Sequence, residues 1–118
     1  MGIVGIGIDV CGLDRWQQAA ARRPGLVEKV LTPAEAGLGP YSQAARFAAK
    51  EALAKALGSP GGLSWHDAEV VRGPAGQPSF EVRGTVAALV ESLGVSALHL
   101  SLSHDSGVAT AVVVAERA

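Results

Sequence analysis

One alanine-rich segment, Ser42 to Gly58, constrains the fold of this 118-residue chain more than any other. Alanine and leucine fill its interior, Ser42 can cap its start, and Gly58 followed by Ser59-Pro60 can end it, so the segment predicts a helix. At about 100° per residue, one side of this helix carries Ala44, Phe47, Ala48, Glu51, Ala52 and Lys55, and another carries Arg46, Lys50, Leu53 and Leu57.

Glu51 lies among small apolar residues, which let another element approach closely enough to bury its carboxylate. A buried carboxylate requires a cation. Lys55, one turn further on, is the ordinary candidate, because a Glu followed by a Lys four residues later stabilises a helix by about 0.2 to 0.5 kcal/mol. The alternative is a metal ion.

The first segment, Gly2 to Cys11, alternates with period two and predicts a strand with two unequal faces. Its β-branched face is expected to carry Val4, Ile6, Ile8 and Val10, and its other face Gly5, Gly7 and Asp9. Glycines weaken a strand unless another backbone comes close, so we expect the glycine face to pack on the alanine face of the helix, bringing Asp9 near Glu51. The glycines lie inside the strand and a third is missing, which argues against a dinucleotide-binding fingerprint.

Asp9 and Glu51 together supply the hard oxygen ligands that Mg²⁺ prefers when substrate phosphates complete its coordination. The same helix carries Arg46, Lys50 and Lys55, a charge pattern that suits a polyphosphate ligand.

The other segments predict an α+β domain in which helices pack on one face of an antiparallel sheet. We expect a helix over 12–23, a helix start at Thr32-Pro33-Ala34-Glu35, strands over 68–72 and 79–82, a helix over 85–93 capped by Thr85, strands over 95–103 and 107–115, and a turn at 104–107. On the strand over 95–103, the leucines are expected to face inward and His99 outward.

Among the three histidines, His104 is best placed to meet a ligand, because it stands at a strand end between Ser103 and Asp105. His66 is expected at the surface and His99 in a structural role. Cys11 has no flanking cation to lower its pKa and is expected to pack as a small hydrophobic residue.

Length and composition indicate one globular domain spanning residues 1–118, with 48% hydrophobic residues. The net charge of −1 argues against a general nucleic-acid binder, and no apolar run is long enough to span a membrane. A single cysteine excludes an intramolecular disulfide, so the chain needs no oxidising compartment and a cytoplasmic location is expected.

Three blocks of this sequence resemble the signature of the holo-acyl-carrier-protein synthases, the small stand-alone phosphopantetheinyl transferases. They are Gly5-Ile6-Gly7-Ile8-Asp9 with Arg15 following, Arg46-Phe47-Ala48-Ala49-Lys50-Glu51-Ala52 continuing to Lys55-Ala56-Leu57-Gly58, and Leu102-Ser103-His104-Asp105. The resemblance runs nearly end to end, with Trp65 to Val70 and Gly76-Gln77-Pro78 in between.

The resemblance implies a Mg²⁺-dependent transfer of the phosphopantetheine arm of coenzyme A to a serine of an apo acyl carrier protein, in a homotrimer with active sites between subunits. It implies Asp9 and Glu51 as metal ligands and Arg15 as a contact of the acidic carrier protein, with Arg22 on the same helix. The residues that it places at or beside the coenzyme are Arg46, Lys50, Lys55, Gly76, Pro78, Ser103 and His104.

The resemblance implies catalytic roles for Glu51, Lys55 and His104. We expect Lys55 to stabilise the leaving bisphosphate, whereas the serine proton has two candidate acceptors: Glu51 acting through a water molecule, or His104 with Asp105 behind it. Two other functions use the same residues: a metal-dependent hydrolase of coenzyme A or a related pyrophosphate, and a module that binds coenzyme A or carrier protein without catalysis.

Overall fold

The computed structural model describes residues 1–118 as five strands, five α-helices and one 3₁₀ turn. The strands are β1 (Gly2–Gly12), β2 (Ala68–Arg72), β3 (Pro78–Val82), β4 (Ala97–Asp105) and β5 (Val108–Arg117). The helices are α1 (Leu13–Arg22), α2 (Leu26–Val30), α3 (Pro33–Ala36), α4 (Pro40–Ala56) and α5 (Gly84–Ser92), and the 3₁₀ turn is Trp65–Asp67. None of the helices is both long and apolar enough to cross a bilayer.

All strand pairs are antiparallel, which confirms the α+β prediction. The strands form two sheets rather than one, however: a three-stranded sheet in the order β1-β5-β4 and a separate hairpin of β2 and β3. The long helix α4 packs on the three-stranded sheet, and the 20 buried apolar residues of the molecule form one cluster around this contact.

The glycine face of β1 packs directly on the backbone of α4, as predicted. A Cβ atom added to Gly7 would overlap the carbonyl oxygen of Ala52, and one added to Gly5 would overlap that of Ala56. Both alanines are buried. Strand and helix therefore touch backbone to backbone, and this contact carries Asp9 on the strand toward Glu51 on the helix.

The outer face of β1 differs from the prediction by one residue near its start. A β-bulge between Ile3 and Gly5 shifts the alternation, so that Val4 packs against the core and Ile3 takes its place outside. Ile3, Ile6, Ile8 and Val10 form an exposed apolar stripe, each residue 58% to 62% exposed.

Several predicted boundaries move by a few residues. Helix α4 begins at Pro40 after Gly39, not at Ser42, because proline is well suited to the first position of a helix. Thr85 does not cap α5 with its side chain; it bonds instead to the Asp67 carboxylate at 2.7 Å. Strand β4 runs through Asp105, so His104 lies within a strand rather than in a turn.

Candidate active site

Asp9 and Glu51, predicted as a metal-binding pair, lie in the wall of one cavity of about 640 Å³. Asp9 comes from β1 and Glu51 from α4, and the backbone contact between the two elements brings them together. Burial and the charge of Asp9 raise the pKa of Glu51, and the cation of Lys55 only partly offsets this. Two carboxylates that repel each other in a half-buried place fit a divalent cation.

The ammonium group of Lys55 pairs with Asp9 rather than with Glu51. It lies 3.1 Å from the Asp9 carboxylate and donates a second hydrogen bond to the carbonyl of Ile8 at 2.9 Å. The predicted pair within the helix is therefore replaced by a contact across to β1. Half of the Lys55 side chain stays exposed beside the carboxylates, where it can meet an anionic substrate.

The donors of this cavity suit a metal that shares its coordination with a substrate. No group of three or more His, Cys, Asp or Glu side chains converges anywhere in the chain, so the protein offers two carboxylates and no closed metal site. Mg²⁺ commonly uses one or two carboxylates together with waters and phosphate oxygens. Cys11 also lines the cavity, but burial and the charge of Asp9 raise the pKa of its thiol, in keeping with a packing role.

Basic side chains of α1 and α2 surround the opening of the same cavity. Arg15 and Arg22, predicted to contact a partner, both line it together with Arg23, which follows α1 and belongs to the same predicted basic patch. Lys29, which sequence reasoning had not assigned, joins them. All four are exposed. The carboxylate pair therefore lies within a basic surface on which an acidic partner can dock.

Three aromatic rings form an apolar wall of this cavity. Trp16 stacks on Phe47 with ring centroids 5.2 Å apart, and Phe47 contacts Trp65 at 6.2 Å. Gln43 fixes this wall, because its amide accepts from the Trp16 indole at 3.1 Å and donates to the carbonyls of Ala36 and Leu38. Sequence reasoning missed this wall, since the three rings come from separate elements.

Arg46, Ser103 and His104 lie together in a second cavity of about 310 Å³, which does not include the carboxylates. The His104 ring contacts the ring of Tyr41, with centroids 4.8 Å apart. Tyr41 and Arg72 also line this cavity and were not assigned from the sequence. Arg46 and Glu51 are five residues apart on α4 and hence point about 140° apart around the helix axis, which explains why the predicted site divides into two clusters.

Lys50 was predicted as a phosphate ligand, and its position corrects that assignment. Its ammonium is buried and lies 2.6 Å from the Glu35 carboxylate and 2.9 Å from the carbonyl of Trp65. Burial lowers the pKa of Lys50, and the contact with Glu35 opposes this shift. Glu35, whose capping box with Thr32 is confirmed, also accepts from the amide of Val70, so the pair joins α3, α4 and β2 inside the protein.

Gly76 and Pro78, predicted to border the coenzyme, lie in and after the hairpin loop between β2 and β3. Neither lines the second cavity, but Arg72 connects the loop to it by donating a hydrogen bond to the Gly76 carbonyl at 2.6 Å. His66 is half-buried and contacts the carbonyl of Glu28, and His99 is exposed beside the carboxylate of Glu116. Neither histidine reaches either cavity.

Comparison with known proteins identifies the family of this chain. Residues 5–113 match the model of the 4′-phosphopantetheinyl transferase superfamily. The chain is similar to the holo-[acyl-carrier-protein] synthase of Frankia alni, with 56% identity over 98% of this chain and 99% of the relative. The chain belongs to the holo-acyl-carrier-protein synthase family.

Other members of the family agree in sequence and in structure. The synthase of Cutibacterium acnes is 58% identical over 97% of this chain and 98% of its own length. The crystal structure of the synthase from Neisseria meningitidis superposes with a TM-score of 0.89 at 33% identity, covering 98% of this chain and all of that one. The Helicobacter pylori synthase in complex with coenzyme A gives a TM-score of 0.82 at 32% identity over 94% of this chain and 99% of that one. The family resemblance read from the sequence is thereby confirmed.

Proposed function

We propose that this chain transfers the phosphopantetheine arm of coenzyme A to a serine hydroxyl of an apo acyl carrier protein, with Mg²⁺ held by Asp9 and Glu51. The observation that carries this proposal is the carboxylate pair inside a cavity whose opening is basic. The relatives are named as synthases of holo-acyl-carrier protein, and a related structure contains coenzyme A. A bound Mg²⁺ would neutralise the pyrophosphate and make the attacked phosphorus more electrophilic.

The side chains around the pair have distinct roles in this reaction. Lys55 stabilises negative charge on the departing adenosine 3′,5′-bisphosphate, because its half-exposed ammonium lies beside Asp9. Glu51 accepts the proton of the serine hydroxyl through a water molecule, since its half-buried carboxylate lines the same cavity as Asp9. Arg46 and His104 lie in the second cavity and bind a phosphate of the coenzyme.

Intact-mass spectrometry of an apo acyl carrier protein, incubated with the chain, coenzyme A and Mg²⁺, tests the reaction. We expect a gain of one phosphopantetheine, lost in Asp9→Ala and Glu51→Ala. Consumption of coenzyme A without carrier protein would indicate a hydrolase instead. Binding of coenzyme A without turnover would leave only a binding module.

The roles of Glu51 and His104 are separated by kinetics. With His104→Ala we expect a higher KM for coenzyme A, an unchanged KM for the carrier protein and an unchanged shape of the pH–rate profile. Loss of the acidic limb of that profile, where the rate rises as the base loses its proton, in His104→Ala with intact Mg²⁺ binding would transfer the proton-acceptor role to His104.

We further propose a homotrimer in which the carboxylate cavity of one subunit faces the cationic cavity of its neighbour. Two observations support this arrangement: the two clusters lie in different cavities of one chain, and β1 presents the stripe of Ile3, Ile6, Ile8 and Val10 to solvent. A row of exposed β-branched residues is characteristic of an interface.

Mixing two inactive variants tests the shared site directly. Asp9→Ala disables the carboxylate cavity and Arg46→Gln disables the cationic cavity. Each variant alone should therefore have little activity. Co-expressed chains should regain activity, because about a quarter of the shared sites in randomly mixed rings receive both intact halves. No recovery would refute shared sites.

The apolar stripe is tested by the oligomeric mass of two matched variants. Light scattering should show monomers for Ile8→Lys and trimers for Leu38→Lys, which places the same charge at another exposed apolar residue. A trimeric Ile8→Lys protein would remove β1 from the interface.

A further inference from the structure

Helix α1, which carries arginines to the opening of the carboxylate cavity, is anchored by one buried side chain. Trp16 is 3% exposed and is the only buried residue of α1, and a hydrogen bond from the Leu13 amide to the Gly107 carbonyl at 2.8 Å ties only the start of the helix. Arg15 and Arg22 are seven residues apart and share one face of α1, about 100° around the axis from Trp16. The orientation of Trp16 therefore sets the direction of both arginines.

Helix α4 holds Trp16 with two residues of one face. Gln43 and Phe47 are four residues apart on α4, so they lie one above the other. Phe47 stacks on the Trp16 ring with centroids 5.2 Å apart, and the side-chain oxygen of Gln43 accepts from the indole Nε1–H at 3.1 Å. This N–H is the only hydrogen-bonding group of a tryptophan side chain, so Gln43 satisfies it completely.

The amide of Gln43 is itself held in a single orientation. Its Nε2 donates to the carbonyl of Ala36 at 2.9 Å and to the carbonyl of Leu38 at 3.1 Å. A reversed amide would turn its NH₂ group toward the indole N–H and its oxygen toward two carbonyl oxygens, which pairs donor with donor and acceptor with acceptor. Ala36 is the last residue of α3, so this one amide joins α1, α4 and the end of α3.

Loss of the Gln43 oxygen would leave the buried N–H of Trp16 without an acceptor. An unpaired buried donor is costly, and a turn of the indole toward water is the direct way to avoid that cost. Because Trp16 is the only buried side chain of α1, the helix would turn with it and carry its arginines away from the opening. Asp9 and Glu51 belong to β1 and α4 and would stay in place.

We propose that Gln43 is a positioning residue: by holding Trp16 it sets the orientation of α1 in which the arginines of this helix meet an acidic carrier protein. This inference rests on the proposed function for the identity of the partner. Gln43 lines neither cavity, so it acts on the docking of the carrier protein and not on the binding of coenzyme A or on the chemical step.

Steady-state kinetics of Gln43→Leu in two backgrounds tests the proposal. In the wild type we expect the KM for apo carrier protein to rise about tenfold, because the docking orientation of α1 is then populated in only about a tenth of the molecules. kcat and the KM for coenzyme A should not change. In a Trp16→Phe background the same substitution should change the KM for carrier protein less than about twofold, because phenylalanine keeps the stacked ring and has no N–H to satisfy.

Val95→Ala is the matched control for a simple loss of stability. Val95 is buried, lies just before β4 and lines neither cavity. Its truncation should lower Tm and leave the KM for carrier protein unchanged.

The indole N–H signals in a proton–nitrogen NMR spectrum report the contact itself. The Trp16 signal should exchange slowly with water in the wild type and faster in Gln43→Leu, whereas the Trp65 signal should not change. An unchanged Trp16 signal, an unchanged KM in Gln43→Leu, an equal rise with Val95→Ala or the same rise in both Trp16 backgrounds would overturn the proposal.

Equilibrium binding of a fluorescently labelled apo carrier protein, followed by anisotropy, separates this inference from the proposed function. A wild type that binds the carrier protein but transfers nothing, with weaker binding by Gln43→Leu, would refute the transferase and leave the role of Gln43 standing. An active wild type whose affinity for carrier protein equals that of Gln43→Leu would refute the role of Gln43 and leave the transferase standing.

Discussion

The backbone contact between β1 and α4 makes Gly7→Ala the sharpest test of how this fold is built. A Cβ on Gly7 would lie 2.8 Å from both the carbonyl carbon of Ala52 and the backbone nitrogen of Ala56, besides overlapping the Ala52 oxygen. Non-bonded carbon atoms sit about 3.5 to 4.0 Å apart, so strand and helix must separate by about 1 Å. No rotamer change relieves this, because every clashing atom is backbone.

The size of the effect follows from what the separation costs. Overpacking a tight interior costs about 1 to 3 kcal/mol, and rigid backbone on both sides places Gly7→Ala near the upper end, at about 3 kcal/mol. The ordinary gain of replacing a strand glycine by alanine, about 0.5 to 1 kcal/mol, is too small to change the sign. For a chain of this length we expect Tm to fall by about 10 °C.

Urea denaturation at fixed protein concentration, followed by tryptophan fluorescence, measures this difference. Gly2→Ala is the matched control, because it lies on the same strand and nothing stands within 4 Å of its added Cβ. Its free energy of unfolding should change by less than about 0.5 kcal/mol. If Gly7→Ala unfolds within 0.5 kcal/mol of Gly2→Ala, the direct contact between strand and helix is wrong.

Three further perturbations probe the site and its support. Lys50→Met should cost about 3 to 5 kcal/mol in a urea titration, because it leaves a buried carboxylate without its cation; a loss below 1 kcal/mol would contradict the buried pair. Glu51→Gln should raise the Tm of the metal-free protein at neutral pH and abolish stabilisation by Mg²⁺, which in the wild type reaches about 1.4 kcal/mol at ten times Kd. Because the pKa of Glu51 is raised in the folded protein, the wild type loses stability as the pH rises from the ordinary value of 4.5 through the folded pKa. The stability advantage of Glu51→Gln should therefore vanish at lower pH. An advantage that does not depend on pH would refute this. Arg15→Glu with Arg22→Glu should raise the KM for carrier protein about tenfold at low salt and less at high salt, whereas Arg117→Glu should not; equal effects would exclude docking on α1.

The parts of the fold that sequence predicted correctly are those with a local signal on both partners. The glycine face of β1 and the alanine face of α4 are each visible in the sequence, and their small side chains are complementary, so their contact and the approach of Asp9 to Glu51 followed. The separation of the strands into two sheets has no such signal, because it depends on how the β2–β3 hairpin packs.

Long-range partners explain what sequence reasoning missed at the site. Lys50 shares a helix face with Leu53 and Leu57, which are buried, yet the cations along this helix and the family resemblance favoured a phosphate role. Only the fold reveals Glu35 as its partner. Arg72 lies outside every block of the family resemblance. The β2–β3 hairpin places it in the same cavity as Arg46. The bulge at Val4 is likewise invisible in an alternating apolar run.

The contact of Gly7 with α4 also limits how this protein can evolve. In most cores a residue that grows can be accommodated by a neighbour that shrinks, and such second-site suppressors are a common route of divergence. Here the atoms in the way are the carbonyl group of Ala52 and the nitrogen of Ala56, which every amino acid except proline carries unchanged. A selection for suppressors of Gly7→Ala should therefore return reversions at position 7 and none at 52 or 56, so this part of the strand and helix must be inherited as one unit.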